Sequence, residues 1–130
     1  MSLVNIINEF IVTDVSKSVK FYEENLGFST IATDGNPITW AQLENGKTTI
    51  MFNSYDDVKA SISGYPAKTN SSNLIMFEYD NPDEIKQLFN TLKAKNLEFF
   101  TDYTETDYGK IEFGIYDLDK NMILFSGPAR

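Results

Sequence analysis

The sequence predicts an α+β fold in which one strand–helix–strand–strand–strand module is used twice. Three observations carry that prediction. Two amphipathic, well-capped helices are 66 residues apart, measured from Asp14 to Asp80. The chain around them alternates apolar and polar residues as strands do and carries hairpin signals. The flanks of the two helices also match: Val12-Thr13-Asp14 and Glu78-Tyr79-Asp80 lead in, and Gly27-Phe28 and Asn96-Leu97 lead out. At 130 residues this is one domain. It divides into a first module at about 1–54, a loop at about 54–72 and a second module at about 73–130.

Each element has a local reason. The first strand is expected over Asn5–Val12. The first helix follows from about Ser16 to Asn25, with Val15, Val19, Tyr22 and Leu26 on one face. Asp14 or Ser16 can cap its start, and Gly27 suits a left-handed exit. Strands are then expected at Ser29–Thr33, Thr39–Glu44 and Thr48–Asn53, with Asn45-Gly46 as the hairpin turn between the last two. Ser54–Ser72, rich in Ser, Asp, Lys and Gly and holding Pro66, reads as the loop. Asn73–Tyr79 opens the second module. Its helix has Asn81 as N-cap, Pro82 in the first turn, and Asp83 and Glu84 at the positive end of the dipole. Ile85, Leu88, Phe89 and Leu92 form the apolar stripe, and Asn96 can take a left-handed conformation. Strands Glu98–Tyr103, Gly109–Tyr116 and Met122–Ser126 finish the chain, with Asp119-Lys120-Asn121 as a turn.

Composition removes much enzyme chemistry. There is no Cys and no His. Disulfides, thiolate nucleophiles, zinc clusters, imidazole bases and imidazole metal ligands are therefore excluded. Only an all-oxygen site for magnesium, calcium or manganese would remain. With 11 basic and 19 acidic residues the net charge is -8, and the lysines are scattered. That argues against nucleic acid and against an anionic membrane surface as partners. No apolar run is long enough to span a bilayer, and MSLVNIINEF lacks the features of a signal peptide, so a cytoplasmic location is expected.

Two stretches resemble a known superfamily. Val12-Thr13-Asp14, Ser18, Phe21-Tyr22 and Leu26-Gly27-Phe28 closely resemble the opening module of the vicinal-oxygen-chelate proteins. These comprise glyoxalase I, extradiol dioxygenases, and fosfomycin- and bleomycin-resistance proteins. Tyr108–Phe125 is similar to the family's aromatic-Gly, strand, Asp-Pro-Asp-Gly-Asn, strand signature, with Leu118 and Lys120 in place of the Pro and Gly. The resemblance implies paired βαβββ modules forming a U-shaped mixed sheet around a cavity. It also implies a homodimer with small-molecule sites at or near the interface.

Metal-dependent members place one ligand, usually His or Glu, on each of four strands. Counted from the matching motifs, those positions fall here on Ile7, Met51 (or a neighbour), Leu74 and Leu124. None can hold a hard divalent cation. No metal and no cofactor are expected, and these four side chains would instead floor an apolar cavity. Strand alternation puts Glu9 and Ile11 on the face of Ile7, and Met76 and Glu78 on the face of Leu74. Trp40, beside Gln42, and Tyr108, before Gly109, are candidates to stack on a flat ligand. Asn53 and Lys110 are weaker hydrogen-bonding candidates.

The expected function is a metal-independent binding protein resembling the bleomycin-resistance group, sequestering a small aromatic and cationic compound without turning it over. Two alternatives stay open. One is a glyoxalase- or dioxygenase-like enzyme with a non-standard oxygen-ligand metal site using Glu9 and Glu78. The other is a non-catalytic structural or interaction protein with a filled cavity.

Overall fold

The computed structural model describes residues 2–64 and 74–130. The chain divides into two compact units, Met1–Thr69 and Asn70–Arg130. Unit 1 contains β1 (Asn8–Val12), α1 (Val15–Leu26), β2 (Ser29–Gly35), β3 (Ile38–Asn45), β4 (Thr48–Ser54) and α2 (Tyr55–Ser61). Unit 2 contains β5 (Leu74–Glu78), α3 (Pro82–Ala94), β6 (Phe99–Glu105), β7 (Lys110–Tyr116) and β8 (Met122–Pro128). The sheets share one topology, β1-β4-β3-β2 and β5-β8-β7-β6. In each, the first strand lies parallel to the last and the other pairings are antiparallel. This is the α+β double module read from the sequence.

Unit 1 is built around Tyr22, which the helical period of α1 aims at the sheet. Tyr22 is fully buried, with its ring centroid 4.7 Å from Phe52, 5.8 Å from Phe28 and 5.9 Å from Phe10. Such tilted and edge-on pairs contribute about 0.5–1.5 kcal/mol each beyond simple burial. Asp14 caps α1 by accepting from the Lys17 N–H at 3.1 Å. Gly27 leaves the helix at φ 73, a left-handed conformation that any Cβ would disfavour. In unit 2, Ile85 and Leu92 of α3 are fully buried. Phe113 and Phe125 stack at 4.9 Å, and Phe89 of α3 meets Phe113 at 5.1 Å.

Two expectations change. The first strand begins at Asn8, not Asn5. Its ladder runs along β4 from Asn8 opposite Ile50, and β4 itself starts at Thr48, so the chain before Ile6 has no neighbour there to pair with. Leu3, Val4 and Ile6 are largely exposed. The segment after Ser54, read as loop, opens with α2. Ser54 caps it by accepting from the Asp57 N–H, Asp56 and Asp57 sit in its first turn, and Val58 is its one buried residue. The rest of that loop, residues 65–72, and Asn73 of the expected strand lie outside the described residues.

Candidate functional site

Each sheet has one face under its long helix and one face turned away from it. In unit 1, Phe10, Val12, Ala41, Leu43, Ile50 and Phe52 form the buried face. The alternate residues form two rows on the other. Glu9, Met51, Gln42 and Ala32 stand in register in the first row, and Ile11, Asn53, Trp40 and Asp34 in the second. Asn53 Nδ2 donates to Glu9 Oε1 at 3.1 Å, which ties the two rows together. Trp40, Gln42, Met51 and Asn53 are half-buried, and Glu9 is exposed.

In unit 2, Ile111, Phe113, Ile115, Ile123 and Phe125 are buried. On the opposite face the rows change character along the strands. Leu74, Met122 and Tyr116 make the first row; Met76, Leu124 and Gly114 the second; Glu78, Ser126 and Glu112 the third. Leu74 is 49% exposed and Met76 51%. Gly114 leaves space that the Phe100 ring fills: a Cβ there would lie 2.2 Å from Phe100 Cζ. The face is therefore apolar and aromatic over two rows, then acidic and hydroxylated in the third.

The acidic row has a defined geometry. Tyr108, on the β6–β7 loop, donates its hydroxyl to Glu112 Oε2 at 3.0 Å, and the buried Ser126 Oγ lies 3.5 Å from the same oxygen. The hydrogen bond to Glu112 is the main cause that raises the Tyr108 phenol above its ordinary pKa. Glu112 was not among the residues singled out from the sequence. Its alternation on β7 was visible, but only the register with β8 and the return of Tyr108 over the strand mark it.

The residues nominated from sequence divide between the units. Glu9, Met51 and Trp40 share one face of unit 1, with Met51 directly opposite Glu9. Leu74, Glu78 and Leu124 share one face of unit 2, where Leu124 stands opposite Met76 and one row from Leu74. Tyr108 meets that face through Glu112. Ile7 was placed on the first strand, but it precedes β1 and is 46% exposed. Among the described residues no three Asp or Glu side chains come together as a metal site would require. Among them, too, no helix is long and apolar enough to cross a membrane.

Two modules of identical strand order, each with one face under a helix and a mixed apolar and acidic face opposite, define a paired βαβββ protein. The sequence pattern of the Glyoxalase/Bleomycin resistance protein/Dioxygenase superfamily matches residues 4–125, and the chain belongs to that superfamily. The fold is similar to that of a glyoxalase/bleomycin resistance protein/dioxygenase from Nocardioides, with TM-score 0.78, 18% identity, and 98% of this chain and 85% of that one covered. It is similar to TioX from Micromonospora sp. ML1, with TM-score 0.73, 14% identity and coverage of 96% and 98%. It is also similar to a lactoylglutathione lyase from Agrobacterium tumefaciens, with TM-score 0.77, 12% identity and coverage of 95% and 92%. Identities this low show the fold alone. No curated protein matches the chain.

Proposed function

We propose that this chain is a metal-independent binding protein that sequesters a small aromatic, cationic compound, and that it works as a homodimer in the cytoplasm. One observation carries the reading. Leu74 and Leu124, at the positions that counting from the family motifs assigns to metal ligands, lie on one sheet face with Met76, and Leu74 and Met76 are about half exposed. Thioether and alkyl side chains do not hold a hard cation, whereas an open apolar floor is suited to an organic ring. Carboxylates beside that floor favour a positive charge on the ligand. The fold by itself names no activity, since it hosts many. Calorimetric titration with bleomycin and with the planar cation ethidium tests the reading, with Trp40 fluorescence as a second readout. Binding heat, or a change in Trp40 emission, is expected for at least one probe. Silence from both measurements with both probes would remove the proposal.

A further inference from the structure

We propose that Glu112 is the carboxylate that selects the ligand's charge, oriented by Ser126 and flanked by the Tyr108 ring, so that unit 2 takes an organic ammonium or amidinium joined to a flat apolar body. This rests on the ligand-binding reading above and adds the residue and the chemical class.

Both hydroxyl donors converge on one oxygen. Tyr108 and Ser126 reach Glu112 Oε2 at 3.0 and 3.5 Å, and Oε1 accepts no hydrogen bond from any described residue. Nor does Glu112 form an ion pair among the described residues. Lys110, two residues along the same face of β7, makes none either. A half-buried carboxylate with its orientation set and one oxygen bare is preorganised to accept a charge-assisted bond from an N–H cation. Glu78, across Ser126 in the same row, adds a second negative charge. The apolar floor begins one row away at Met76 and Leu124, and the Phe100 ring lies over Gly114 beside them. Tyr108, 66% exposed, supplies an aromatic edge next to the carboxylate. A neutral hydroxyl would gain only the weaker bond of an uncharged donor at Oε1, and an anion would be repelled by both carboxylates.

The test uses three probes with one ring system: 2-naphthylmethylammonium, the neutral 2-naphthylmethanol and the anionic 2-naphthylacetate. Each is titrated calorimetrically into the full chain and into Glu112→Gln, whose amide oxygen still accepts from Tyr108 and Ser126. The wild type is expected to bind the ammonium most tightly and the acetate least. Glu112→Gln should weaken the ammonium at least about tenfold and the alcohol far less, as expected for losing a bond between two charged groups rather than one with an uncharged donor. Equal ammonium binding by the wild type and Glu112→Gln would overturn the inference while leaving the binding reading intact. So would wild-type preference for the acetate over the ammonium, which needs no variant to fold. Failure of the wild type to bind any naphthyl probe, bleomycin or ethidium would overturn both.

Discussion

Gly114 has no room for a side chain, because the Phe100 ring occupies the place where a Cβ would stand. Gly114→Ala is expected to destabilise the protein by about 1–3 kcal/mol, the usual cost of overpacking. Thermal unfolding checks it, and adding Phe100→Ala should recover part of the loss because the two positions are coupled. Tyr79 carries a second residue-level expectation. Burial first, and the charge of Glu84 second, push its phenol up to about 12. In the unfolded chain a tyrosine ionises near 10. The folded state therefore keeps a proton that the unfolded state has lost as pH rises from 10 towards 12. The stability that depends on the neutral phenol is complete below pH 10 and falls through that window. Urea unfolding at pH 9, 10 and 11 should show a steeper decline for the wild type than for Tyr79→Phe. Equal slopes would mean that Tyr79 is not the group responsible.

Helix termini and turns set the elements. Asn81 accepts from the N–H groups of Asp83 and Glu84 at 2.9 and 3.2 Å, two donors that α3 cannot satisfy internally. Asn81→Ala is expected to cost about 1 kcal/mol, read as a lower urea midpoint with an unchanged slope. These signals were legible in the sequence because they are local: Asp14 and Gly27 around α1, Asn81 and Pro82 at α3, and Gly46 in the β3–β4 hairpin all stand where expected. α2 was not legible. It is seven residues long, buries only Val58, and its Ser, Asp and Lys content is also that of a loop. The start of β1 was misplaced because Leu3, Val4 and Ile6 continue the apolar pattern without a strand beside them. The candidate faces followed from alternation, as Glu9 and Glu78 show. Glu112 did not, because its character depends on Ser126, 14 residues away on the next strand, and on a loop tyrosine.

At the scale of the whole chain the question is whether a metal takes part. The composition offers neither His nor Cys, so a metal would have to be held by oxygen alone. Hard cations need several such oxygens in one place. In unit 1 the Asn53 amide donates to Glu9 Oε1, and in unit 2 Glu78 stands across Ser126 from Glu112, so neither unit gathers three carboxylates among the described residues. If an oxygen-ligand centre supported the fold or the site, chelation would remove binding energy that now favours the folded state. The expectation is the opposite: exhaustive dialysis against EDTA should leave both the unfolding temperature and the ethidium affinity unchanged. Elemental analysis of protein purified without chelator should find no stoichiometric divalent metal. By contrast, raising salt should weaken ethidium binding, because charges on an exposed acidic face are screened. Loss of affinity on chelation, restored by magnesium, calcium or manganese, would instead favour an oxygen-ligand metal centre over the metal-independent reading.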